Sequence, residues 1–87
     1  MPIKVYNFGY IRDLPKVFDA DVSDISLADM IDYLENELNS SLKQTLLNDG
    51  KLAERARISI NGNPVHSLEA VIPDGSQLML SLMLPGG

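Results

Sequence analysis

The chain reads as an α+β protein in which a mixed sheet of four to five strands packs on one main helix. Three observations carry that expectation. Two β-rich runs joined by a short Gly- and Pro-containing segment open the chain. One well-capped amphipathic helix follows. An almost unbroken apolar run, residues 77–84, closes it.

Residues 3–8 (Ile-Lys-Val-Tyr-Asn-Phe) form the first strand, broken by Gly9. In residues 16–22, Phe18, Ala20 and Val22 alternate with Asp19 and Asp21, the pattern of a strand with one wet face. Pro15 is tolerated at its start, and the two strands are expected to form a hairpin. Ser26 is the N-cap of the main helix, with Asp29 at the third helical position and an Ile25–Met30 hydrophobic staple. Leu27, Met30, Ile31, Leu34 and Leu38 share one helical face, and Asp29, Asp32, Glu35 and Glu37 make a solvated one. Residues 41–47 suggest a second, shorter helix ended near Asn48-Asp49-Gly50 by its glycine. Residues 52–56 fit neither period. Residues 57–60 alternate as a strand, Asn61-Gly62-Asn63-Pro64 is a strong turn, and Val65-His66 is a short returning strand. Pro73-Asp74-Gly75 is a second turn.

Residues 77–84 are apolar on both faces apart from Ser81. Strands covered on both sides read this way, so the run is expected to be central and parallel to the first strand. The four methionines are expected to fill gaps in the core. Strand, strand, helix, strand, short strand, strand is the β-grasp order. The domain is expected over residues 1–83, with residues 84–87 a flexible Leu-Pro-Gly-Gly tail.

At 87 residues the chain is one small domain, and without cysteine it has no disulfide framework, thiolate metal site or cysteine nucleophile. The net charge of −5, with seven Lys and Arg in all, argues against nucleic acid, whose phosphates require a basic face. No run approaches the ~20 apolar residues of a membrane span. The N-terminus enters a strand pattern directly, so cytoplasm is the expected location.

No unaided chemistry is visible. His66 is the single histidine and follows a turn, and the serines are explained by caps, turns and strand faces. Asp19 and Asp21 read as a solvated strand face. No lysine or helix start follows Asn61-Gly62-Asn63, so it is not a phosphate loop. What stands out is Gly86-Gly87 directly behind an apolar strand. Glycine makes such a tail slim and conformationally free, suited to threading an enzyme channel and exposing a carboxyl carbon to attack.

With these features the chain resembles the MoaD/ThiS family of ubiquitin-like sulfur carriers, most of all the small subunits of molybdopterin synthases. The resemblance runs along essentially the whole chain. It rests on Ile3-Lys4-Val5; on Phe8-Gly9-Tyr10-Ile11-Arg12-Asp13-Leu14, like the family's Phe-x-x-x-Arg-Glu-Leu; on Ile58-Ser59-Ile60-Asn61-Gly62, like its Val-Asn-Gly turn; on Ile72-Pro73-Asp74-Gly75; and on Gly86-Gly87. It implies that an E1-like enzyme adenylates Gly87 with ATP, that a sulfur donor displaces AMP, and that a thiocarboxylate results. No cofactor is bound by the carrier itself.

Gly86 gives the reacting carbon its reach, and Pro85 holds Leu84 extended. Phe8 matches a position that family members bury against the synthase large subunit. Phe8, Leu82 and Leu84 are expected to form an apolar patch on the sheet face away from the helix, with Pro85 completing the partner interface. Ser81-Leu82-Met83-Leu84-Pro85 stands where the family often has an aromatic residue and a Pro-Pro pair, which bears on the identity of the sulfur acceptor. Three alternatives remain: a protein modifier conjugated through Gly87, a sulfur carrier for thiamine, cysteine or siderophore pathways, and a plain interaction domain.

Overall fold

The structure, a computed structural model, describes residues 1–8, 11 and 14–83. Among these, the chain order is β1 (Ile3–Asn7), β2 (Val17–Ala20), β3 (Ile25–Ser26), α1 (Leu27–Leu38), α2 (Leu42–Leu46), β4 (Leu47–Asn48), β5 (Lys51–Leu52), β6 (Ala56–Ile60), β7 (Asn63–Val65), β8 (Val71–Ile72) and β9 (Gln77–Leu82). The main sheet has five strands in the order β2-β1-β9-β6-β7, a mixed β-grasp sheet under one main helix as the sequence predicts.

The expected central strand is in place. β9 lies parallel to β1, pairing Lys4 with Gln77 and Asn7 with Leu80, and antiparallel to β6, pairing Ala56 with Leu82 and Ile60 with Leu78. Because successive strand residues face opposite ways, this register collects Ile3, Val5, Ile58, Leu78 and Leu80 on one face, all buried. Leu27, Met30, Ile31 and Leu34 of α1 close over them, each 0 or 1 % exposed. Burying such a side chain stabilises by about 1.5–3 kcal/mol.

The start of α1 is as read from the sequence: the Ser26 hydroxyl accepts the Asp29 backbone N–H at 3.1 Å. The helix ends at Asn39, whose left-handed φ of 51° lets its N–H reach the Glu35 carbonyl. The second helix differs from expectation. It is five residues long, and Gly50 does not cap it. Asp49 (φ 54°) and Gly50 (φ 76°) instead form the two-residue turn of the β4–β5 hairpin. Two successive positive φ values match the twist of a tight hairpin, which competes with the helix for this segment.

Part of the acidic face of α1 is also not free solvated surface. Ser41 makes no side-chain cap for α2. The Glu35 carboxylate accepts the Lys43 backbone N–H at 2.8 Å, and the Lys43 ammonium pairs with Asp32 and, at 3.8 Å, with Glu35. One carboxylate of α1, Glu35, therefore caps α2, and a second, Asp32, pairs with its lysine.

The Asn61-Gly62 turn (φ 52° and 86°) joins β6 to β7, which spans Asn63–Val65, starting two residues and ending one residue before the expected Val65-His66. Asn61 also ties this turn to the start of β9: its N–H donates to the Gln77 carbonyl at 2.8 Å and its Oδ1 accepts the Gln77 N–H at 2.9 Å. The β3–β8 ladder, Ile25 opposite Ile72, has no counterpart in the sequence reading, because two-residue strands carry no periodicity.

The largest correction concerns coverage. β9 is central, yet helices cover only one of its faces: Leu78 and Leu80 are buried, while Met79 and Ser81 stay half-exposed on the other. Of the four methionines, only Met30 is in the core. The apolar outer face of β9 reflects an uncovered surface, not a second layer. No described helix is long and apolar enough to cross a membrane.

Adjacent β9 positions should therefore differ sharply. Leu80→Ala is expected to lower unfolding stability by about 2–5 kcal/mol in urea titrations, and Met79→Ala by under about 1 kcal/mol. The Lys43 ammonium, held by its hydrogen bond and charge interaction with Asp32, titrates above its ordinary value of 10.5. Its stabilising contribution is complete below that value and is lost as pH rises through the higher folded one. Side-chain NMR should place the Lys43 midpoint above the ordinary lysine value of 10.5.

Candidate functional site: an open sheet face beside the end of the central strand

Strand register lays out the face opposite α1 row by row. Val17, Tyr6, Met79, Ser59 and Pro64 lie side by side across β2, β1, β9, β6 and β7. The next row toward the end of β9 places Ser81 opposite Arg57, with Phe8 following β1 beside them. One row in the other direction is polar: Lys4 lies 4.0 Å from Asp19, with Gln77 alongside.

The face is apolar where the last strand ends. Phe8 is 56 % exposed, Val17 50 % and Met83 44 %, and these are three of the five large hydrophobic side chains left exposed among the described residues. Phe8, Pro64, Met79, Ser81, Arg57 and His66 line a shallow groove of about 290 Å³. Ser81 explains the hollow. A hydroxymethyl side chain sits between Phe8 and Arg57, where the resembling family often carries an aromatic ring.

The position of Phe8 is set from within. Asn7, at the end of β1, is buried, and its Nδ2 donates to the carbonyls of Ile11 at 3.0 Å and Leu14 at 2.9 Å. The Phe8 N–H donates to the Leu80 carbonyl at 3.1 Å, which extends the β1–β9 ladder by one residue and holds the ring on the open side.

The expected patch is present, but with different members. Phe8 is on it. Leu82 is not: it shares the inner face of β9 with Leu78 and Leu80 and is half-buried at the core's margin. Its place on the open face goes to Met79 and Met83, one residue out of phase, because side chains alternate. Leu84, Pro85, Gly86 and Gly87 lie outside the described residues. His66, read as an ordinary edge residue, is exposed at the groove's rim.

Arg57 was not singled out from sequence. Its guanidinium donates to the carbonyls of Glu54 and Ala56 and lies 3.3 Å from the Met83 sulfur. Strict alternation in β6 was the signal available for it. No cluster of three or more metal-ligating side chains occurs among the described residues. An apolar surface, the Arg57 guanidinium and the end of the central strand lie side by side on this face.

The fold and this open face define a ubiquitin-like β-grasp protein. No family model and no curated protein matches the chain. Solved structures do. The chain is similar to SAMP1 of Haloferax volcanii, with a TM-score of 0.79 and 21% identity over 100% of both chains. It is similar to a chain of the Amycolatopsis orientalis BexX/CysO complex, at 0.75 and 22% over 98% of this chain and 99% of that one. The HVO 2177 protein of Haloferax volcanii gives 0.78 and 22%, over 100% of this chain and 87% of its own.

Since Phe8 is exposed and outside the core, Phe8→Ser should change unfolding stability by less than about 1 kcal/mol. It should also shorten retention on a hydrophobic-interaction column. A loss comparable to that of Leu80→Ala would place the ring in the core.

Proposed function

We propose that the chain is a ubiquitin-like sulfur carrier, used as a substrate by other enzymes and not itself a catalyst. In this reading the Gly87 carboxylate attacks the α-phosphorus of ATP in the active site of an E1-like enzyme, and pyrophosphate leaves. The acyl adenylate turns a poor electrophile into a good one. Sulfur from a donor then adds at the carbonyl carbon and AMP departs, leaving a thiocarboxylate. That softer nucleophile passes its sulfur to an acceptor enzyme in the cytoplasm. We assign the acceptor to molybdenum- or tungsten-cofactor synthesis, with a molybdopterin-synthase large subunit as receiver. The family resemblance supports that branch.

The observation that carries the proposal is the place of β9. It is the sheet's central strand, it is followed in the sequence by Leu84-Pro85-Gly86-Gly87, and it ends beside an open apolar face. Gly86 and Gly87 lack the side chains that would obstruct a narrow channel. Phe8 on the open face, Leu82 at the margin, and Leu84 and Pro85 beyond it are the proposed partner contacts.

A second reading has its own support. One of the similar structures is that of a small archaeal modifier protein, SAMP1. In that reading the adenylated Gly87 is transferred to lysines of other proteins through isopeptide bonds. Both readings require the same first step, so deletion of Gly87 should abolish adenylation while leaving the thermal unfolding midpoint unchanged. Intact-mass spectrometry after incubation with the activating enzyme and a sulfur donor separates them. A mass gain equal to sulfur replacing oxygen supports the carrier, and peptides ending in Gly87 joined by isopeptide bonds to lysines of target proteins support the modifier. An unmodified chain under both conditions would overturn the two together.

A further inference from the structure

The four methionines lie in four different settings. Met30 is sealed in the core, Met1 stands exposed beside Asp74, and Met79 is half-exposed on the open face. Met83 is 44 % exposed, just past the end of β9. Among the described residues it is the one methionine whose sulfur has a hydrogen-bond donor, Arg57 Nη2 at 3.3 Å. Both partners are held in place. The Met83 N–H donates to the Arg55 carbonyl at 2.7 Å, which carries the β6–β9 pairing one residue beyond Leu82. Arg57 Nη1 donates to the carbonyls of Glu54 and Ala56. An accessible thioether and an aimed guanidinium therefore sit in register on neighbouring strands.

A thioether sulfur is a weak acceptor. A sulfoxide oxygen, the negative end of the S–O dipole, is a strong one, and a hydrogen bond from an ionised donor is roughly twice as strong as one from a neutral donor. From this geometry we infer that Met83 is a redox modification site whose sulfoxide oxygen is captured by the Arg57 guanidinium. The oxidant is a hydroperoxide. A sulfur lone pair attacks one peroxide oxygen, so the S–O bond forms as the O–O bond breaks. With hydrogen peroxide, the departing oxygen takes the proton of the transferred one and leaves as water. The sulfur gives up two electrons and the peroxide accepts them. Methionine sulfoxide reductases, with thiols as reductant, reverse the step.

Methionine oxidation commonly disrupts a fold by putting a polar oxygen into the core. Here the side chain lies at the surface and the new oxygen meets a cation, so the oxidised chain grips the end of β9 more firmly against β6. The same step turns one of the exposed apolar side chains of the open face into a polar one. The inference is independent of the function proposed for Gly87.

The test uses the full chain carrying Met79→Leu, a volume-conserving change that leaves Met83 as the methionine of the open face. After treatment with dilute hydrogen peroxide, fragment mass spectrometry should find one added oxygen on Met83 and none on Met30. Thermal melts of the reduced and oxidised forms, with and without Arg57→Ala, make a double-mutant cycle in which oxidation of Met1 cancels. Oxidation should shift the midpoint upward by about 2–4 °C with Arg57 present, relative to its shift in Arg57→Ala, for a domain of this size. Met83→Leu should abolish that difference.

A Met83 that stays reduced while Met1 is oxidised overturns the inference. Equal midpoint shifts with Arg57 and with Arg57→Ala remove the capture and overturn it as well. A difference that survives Met83→Leu does the same, because it would belong to another group.

Discussion

The parallel pairing of β1 with β9 is the constraint on which the other features depend. It brings the two ends of the described chain together and divides the β1–β2 hairpin from the β6–β7 hairpin. It sets Leu78 and Leu80 beside Ile3 and Val5 under α1, which is the core. By the same alternation it sets Met79 and Ser81 beside Tyr6 and Phe8 on the other side. Inner and outer faces are thus one choice of register. A slip of a single residue would put Leu78 and Leu80 in water and Met79 against the helix.

Much of this was legible from the residues. The capping pattern around Ser26 and the spacing of Leu27, Met30, Ile31 and Leu34 define α1 through local rules. The length and apolarity of residues 77–84 mark a central strand. Helix–hairpin competition was less accessible. Residues 41–50 contain both a helical pattern and an Asp-Gly turn, and the turn wins because its two left-handed residues close the β4–β5 hairpin. The β3–β8 ladder lies below the length at which alternation can be read.

The site divides in the same way. Phe8 is legible through the family resemblance, which matches it to a position that faces a partner. Leu82 was assigned to the wrong face because an apolar run on both sides of a strand looks the same whether the second side is covered or exposed. Arg57 depends on pairing: its place on the open face comes from the β6–β9 register that sets it opposite Ser81. That is a property of five strands brought together, and no window of sequence contains it. The two carboxylates that hold α2 are similar, since Asp32 and Glu35 look like ordinary surface until Lys43 is placed against them.

The order of strands in space and along the chain has a consequence for biosynthesis. The middle strand of the sheet is the last of the described strands to be made. When β1, β2, α1, β6 and β7 have all left the ribosome, the two hairpins still have no strand between them and the apolar face of α1 has no floor. Local turns and the capped helix can form early, but the long-range pairing that organises them waits for residues 77–82, and such non-local pairing is slow. A chain broken off before β9 therefore lacks more than an end: it is left with two unpaired strand edges and an open core, which is the form that aggregates and that proteases remove.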